Sequence, residues 1–164
     1  MNKLIALEFL TQYQPLPPDQ ELSVEILDIY DNVREYFLAN PDPVCIPLFL
    51  NSFGNGSGFG VYQLVEDVIC QFSKEEVLSS LISALQSQHS GVKYWCTQIA
   101  GSFPDVKLID PLRNLLQDGS SDIRVMSVYA LSAINNEQSL GILKKHMEVV
   151  TDENILILIK EVLS

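Results

Sequence analysis

Few residues in this 164-residue chain are of types that do chemistry, and their spacing narrows them further. The two histidines are His89, inside a Ser-Gln-His-Ser-Gly turn, and His146, which follows two lysines. Acid–base work or metal binding would need a carboxylate or a second ligand at a suitable spacing; neither histidine has one, and both read as surface side chains. Three cysteines, Cys45, Cys70 and Cys96, are an odd number with no C-x-x-C or zinc-like spacing. Glu66 and Asp67 are adjacent, so on a helix they diverge by about 100° and do not form a paired-carboxylate site. The run Gly54-Asn-Gly-Ser-Gly-Phe-Gly60 has four glycines in seven positions. A phosphate-cradling Gly-x-Gly-x-x-Gly would need glycine where Phe59 stands, and no Lys-Ser/Thr follows. The run reads instead as a flexible loop that offers Phe59 to a partner surface. Recognition is the chemistry that remains, with no catalytic residue, cofactor or metal expected.

The elements that must position these residues follow from one recurring pattern. Ile123, Ser127, Ala130, Leu131 and Ile134 recur at the spacing of one helical face. A shift of 31 residues returns the same face as Val92, Cys96, Ile99, Ala100 and Phe103, and a second shift returns it as Val61, Val65, Val68, Ile69 and Phe72. A second series obeys the same offset: Val77, Leu78, Leu81, Ala84 and Leu85 align with Leu108, Ile109, Leu112, Leu115 and Leu116, and Leu50 aligns with Leu81. A period of this length marks stacked helical hairpins. The spacing predicts helices over about 2–13 and 21–38, an outer helix over 45–53, a helix over 61–72, pairs over 75–103 and 106–134, and a last pair over 138–150 and 152–163. Leu22, Ile26, Ile29, Val33 and Phe37 form the inner face of the second helix. Ser73 with Glu76 has the spacing of a capping box. Pro47 and the β-branched run Ile155 to Ile159 would let strands compete, but the repeat register favours helix at both places.

Composition bounds the function. The hydrophobic share of 47% with 19% charged residues is globular. A net charge of −11 opposes unaided binding to nucleic acid or to an anionic membrane face, and permits a basic protein partner. Residues 1–67 carry ten carboxylates against Lys3 and Arg34, so the negative charge is concentrated in the N-terminal third. That field would steer an oppositely charged partner, and it would equally serve solubility. Cys96 falls on the small-residue position of the repeat and reads as a buried thiol in a reducing compartment. No apolar run is long enough for a signal core or a membrane span, so a cytoplasmic protein is expected.

The segment from Leu108 to Leu131 resembles a HEAT repeat, with Pro111 in its first helix, Asp118 at that helix's end, Ile123-Arg124 opening the second and Ala130-Leu131 following. The preceding repeat departs from the pattern, with Lys93 for the arginine and Ser87 for the aspartate. The resemblance implies one all-α domain over 1–164, a right-handed alpha-alpha superhelix of about five helical hairpins, with 1–43 as a degenerate N-terminal cap and 44–164 as four repeats. A second resemblance, to small acidic HEAT-like immunity proteins of bacterial toxin systems, lies in the short length, the acidic end and the glycine-rich run before Val61-Tyr-Gln-Leu-Val-Glu-Asp67. It implies occlusion of a toxin, such as a basic nuclease. A non-catalytic HEAT adaptor is the alternative, and HEAT-like bilin lyases and glycosylases are a third class, which would need an acid in a deep aromatic pocket.

In such a stack the second helix of each pair lines the concave face. Helical register then places Tyr62, Glu66, Asp67, Tyr94, Gln98, Val125, Val128, Tyr129 and Ile157 on that face, an aromatic and apolar patch bordered by carboxylates. With Phe59 in the loop, these are the candidate partner-binding residues. The apolar last helix also predicts self-association through the C-terminus, because solenoid ends normally present a polar face.

Overall fold

The computed structural model describes residues 1–164 and is all-α, with ten α-helices and no strand. The chain forms two compact units, residues 1–96 and 97–164.

In the first unit, α1 (Lys3–Gln12) is capped by the Asn2 side chain and α2 (Val24–Ala39) by the Ser23 hydroxyl. Each cap oxygen accepts from an N–H that the first turn leaves without an intrahelical partner. Then come α3 (Cys45–Leu50), α4 (Val65–Ile69), α5 (Lys74–Ala84) and α6 (Ser90–Ala100), the last running to residue 100. The capping box forms at α5: the Ser73 hydroxyl accepts from Glu76 N–H, and the Glu76 carboxylate accepts from Ser73 N–H at 2.9 Å. α1 packs on α2 and α3, α3 on α5, and α2 on α4. The core is aromatic-rich, with Tyr30, Phe37, Phe49, Phe53 and Tyr62 fully enclosed. Their rings meet edge to face, as at Tyr30 and Tyr62 (5.8 Å, 86°) and at Phe37 and Phe49 (5.9 Å, 86°), the arrangement that ring quadrupoles favour.

Two expectations fail here. In place of one helix over 61–72 the chain has a 3-10 turn at Tyr62–Leu64 and the five residues of α4, preceded by a further 3-10 turn at Gly58–Gly60. Three glycines with positive φ immediately before it deny the segment a helical entry. On α2 the buried face is Tyr30, Val33, Arg34 and Phe37, and Ile29 is exposed. The helix is rotated so that Tyr30, the larger group, reaches the core, where its hydroxyl pairs with Ser52 Oγ at 2.7 Å.

In the second unit, a 3-10 turn at Val106–Leu108 leads into α7 (Ile109–Leu115), followed by α8 (Ser121–Ile134), α9 (Glu137–Met147) and α10 (Glu153–Leu163). α8 is the central helix and packs against α7, α9 and α10. Ile123, Ser127, Ala130 and Leu131 of α8 are buried, as their periodicity requires. Asn135 ends α8 in the left-handed conformation common at helix ends, and the Asn136 side chain opens α9 by accepting from Ser139 N–H. The segments open to a strand reading, α3 and the run Ile155 to Ile159, are both helical.

Candidate interaction site

The glycine-rich run is a clamped loop, not a flexible one. The carboxylate of Asp19 accepts from Ser57 N–H and Gly58 N–H, both at 2.9 Å, and Asp19 N–H donates to Asn55 O at 3.0 Å. Asn55 Oδ1 accepts from Gly91 N–H at 2.9 Å, which ties the loop to the first turn of α6. Trp95 Nε1 donates to Gly56 O at 3.0 Å, and the Tyr62 hydroxyl accepts from Gly54 N–H at 3.3 Å. Two loop N–H groups, a loop carbonyl and the Asn55 side chain are thereby satisfied by groups nearly forty residues away, before and after the loop. Desolvation pushes the Tyr62 phenol up to about 12, the Gly54 bond opposing, so it remains a neutral acceptor.

Beneath the loop lies a stack of rings. Trp95 lies against Phe53 (6.0 Å, 29°) and meets Tyr62 at 6.0 Å and 83°, while Tyr94 meets Trp95 at 5.1 Å and 87°. On top, Phe59 has φ 49° and ψ 33°, left-handed geometry that an aromatic residue rarely adopts, and 67% of it is exposed. An apolar ring is therefore held outward, by a backbone conformation that costs about 1–2 kcal/mol, on a loop with little freedom left to lose. Asp67 is exposed and Glu66 half-buried on α4.

Of the sequence-derived site residues in the first unit, Phe59, Glu66, Asp67 and Tyr94 reach the surface, Tyr94 only in part. Tyr62 does not: it is 1% exposed, because the loop and Trp95 cover its ring. In the second unit Tyr129 and Ile157 are exposed, and Gln98 and Val125 are half-buried. Val128 is fully buried in the α8 core and cannot meet a partner. Arg124, next to Val125 on α8, is engaged within the unit. Its guanidinium donates to Asp118 O at 2.9 Å, to Gly119 O at 3.3 Å and to Asp152 Oδ2 at 3.1 Å, bracing the loop before α8 against the start of α10. That bond, with the backbone donors of Ile155 and Asn154, holds the Asp152 carboxyl below its usual range.

The clamp residues Asp19, Asn55 and Trp95 were not foreseen. An aspartate placed just after a Pro-rich turn was the one local sign, and it did not identify its acceptor sites. No three His, Cys, Asp or Glu side chains come together as a metal site. Cys96 is buried, with its thiol donating to Leu50 O at 3.2 Å and desolvation raising its pKa; burial lifts Cys45 to about 12. No helix is long and apolar enough to cross a membrane.

A family model described as HEAT repeats matches residues 68–163. No curated protein matches the chain.

Proposed function

The chain belongs to the HEAT-repeat family, and from that premise we propose that it is a non-catalytic protein-binding adaptor whose first unit grips a partner through the clamped loop at Phe59. One observation carries the reading: a large apolar ring is presented outward in strained backbone geometry, and the polar groups that hold the loop belong to two other segments, the turn at Asp19 and helix α6. Strain of this kind persists only when the surroundings enforce it, and it concentrates at ligand clamps. An immobilised aromatic loses little entropy on docking, which is why such residues dominate binding energy. Tyr94 and Asp67 would extend the contact, and Tyr129, Val125 and Ile157, with the Gln98 amide, would serve as further contact residues on the other unit. A reducing, cytoplasmic setting belongs to the proposal, supported by the buried, protonated thiols of Cys45 and Cys96.

The test is quantitative affinity capture with wild type and Phe59→Ala as parallel baits, followed by titration of each recovered partner. Loss of an aromatic anchor should weaken the true partner by about 2 kcal/mol, roughly thirtyfold, while the far-ultraviolet circular dichroism stays unchanged. A partner that binds both baits within a factor of about two would remove Phe59 from the site.

A second reading keeps the same loop but makes the outcome inhibitory: occlusion of a basic protein such as a bacterial toxin, with this chain as its immunity protein. The acidity of residues 1–67 supports it. Neutralisation of the recovered partner's activity at one-to-one stoichiometry would select it over the adaptor.

A further inference from the structure

Asn55 is the only one of the chain's nine asparagines that is followed by glycine. That pair carries a reaction of its own. The Gly56 nitrogen, once deprotonated, can attack Cγ of Asn55 and close a five-membered ring, and a glycine at the attacking position has no Cβ to crowd the approach. Asn55 and Gly56 are both exposed, so water, the other reactant, reaches them.

The clamp holds every part of this pair. Asn55 O accepts from Asp19 N–H at 3.0 Å, Asn55 Oδ1 from Gly91 N–H at 2.9 Å and Gly56 O from Trp95 Nε1 at 3.0 Å. Ring closure must bring nitrogen and Cγ from van der Waals contact to bond length, which turns the Asn55 torsions and pulls on all three bonds. A second brake is electrostatic. The Asp19 carboxylate lies so close to Gly56 that a Cβ built there would fall 2.3 Å from its carbon. Negative charge at that place opposes the anionic nitrogen that the attack requires.

We propose that Asn55–Gly56 is a self-deamidation site gated by the loop clamp, silent while the loop is closed, and that its isoaspartyl product holds the loop open. In the first step the bond from Gly56 N to Asn55 Cγ forms, the bond from Cγ to Nδ2 breaks, and Nδ2 leaves as ammonia with the proton that Gly56 gave up. Water then opens the succinimide. Addition at Cγ restores the main chain with an aspartyl side chain; addition at the Asn55 main-chain carbonyl leaves a free carboxylate there and routes the chain through Cβ and Cγ. One water is consumed, one ammonia is released, and nothing is oxidised or reduced. The isoaspartyl route lengthens the chain by one carbon, about 1.5 Å, just before the clamped groups. Gly56 O, Ser57 N–H and Gly58 N–H then cannot all keep Trp95 and Asp19 as partners, and Phe59 loses its fixed mount. The consequence for binding rests on the adaptor reading of Phe59; the reaction and the loop opening do not.

The test is conversion at Asn55 in mildly alkaline buffer, followed by peptide mass spectrometry with electron-transfer fragmentation to separate the two products. Each conversion adds about 1 Da, and Asn51, followed by serine, is the internal reference. Folded wild type is expected to convert at least about tenfold more slowly than the same chain in urea, because reaction waits on loop opening. Asp19→Ala, which removes both brakes, should recover roughly tenfold in rate, and Trp95→Phe, which keeps the ring but not the donor, roughly threefold. The isoaspartyl form, separated from unreacted protein, should show fast amide exchange at Ser57 and Gly58. Equal rates in the folded and unfolded wild type would overturn the gating, as would wild-type rates in both variants while circular dichroism shows them folded. Should both variants unfold, the wild-type comparison decides alone. Retained amide protection in the isoaspartyl form would overturn the switch. A partner that ignores Phe59 would remove the adaptor contact and leave these mass and exchange results standing.

Discussion

At Phe59, stability and the proposed partner contact pull apart. Glycine accepts φ near 49° without the steric penalty that a phenylalanine Cβ meets there. Phe59→Gly should therefore raise stability by about 0.5–1 kcal/mol in urea titration while removing partner capture, and a destabilised variant would show that the ring is held by packing rather than strained. Tyr30 behaves oppositely. Its hydroxyl is enclosed against Ser52, so Tyr30→Phe should cost about 1–2 kcal/mol, read as a shift in the urea midpoint at unchanged slope. His146 gives the molecule a pH dependence. Burial holds its pKa below the ordinary 6.5, so the unfolded chain binds the proton more readily than the folded one. Stability must then fall as pH drops through 6.5 toward the folded value, and be restored above it. His146→Gln should flatten that limb when midpoints at about pH 7.5 and about pH 5.5 are compared; an unaltered slope would mean that the ring is solvated.

The segments that matter most are joined by close backbone approach. At Gly91, in the first turn of α6, an added Cβ would press on the carbonyls of Gly54 and Phe53. Gly91→Ala should therefore cost about 3 kcal/mol or displace the loop, seen as a fall in Tm together with faster amide exchange at Ser57 and Gly58. An unchanged Tm would mean that the loop relaxes easily, and the fixed presentation of Phe59 would be lost as an argument. Much of the element pattern was readable beforehand. The capping box at Ser73 and Glu76, the hairpins 75–103 and 106–134 and the buried face of α8 all involve neighbours within a few turns, where periodicity and capping chemistry act directly. The segment 61–72 escaped because its apolar spacing is helical while the glycines before it impose 3-10 turns.

For the molecule as a whole, the charge of −11 and its concentration in the first 67 residues would bear on how a charged partner arrives. If the acidic field steers a basic protein, its association rate should fall about tenfold or more as salt shortens the Debye length from roughly 30 to 8 Å, with dissociation little changed. A salt-independent rate would leave the apolar contact at Phe59 as the sole determinant and favour the adaptor over the inhibitor. Composition, the period of 31 residues and helical register were enough to determine an all-α chain of HEAT repeats and the faces that its helices turn inward, because each follows from residues close in sequence. Register gives an angle around a helix, not what stands at that angle, so Tyr62 and Val128 read as surface and lie in the core. Only tertiary structure could decide that Asp19, Asn55 and Trp95 convert a glycine-rich run into a rigid mount, because those partners are brought together by packing.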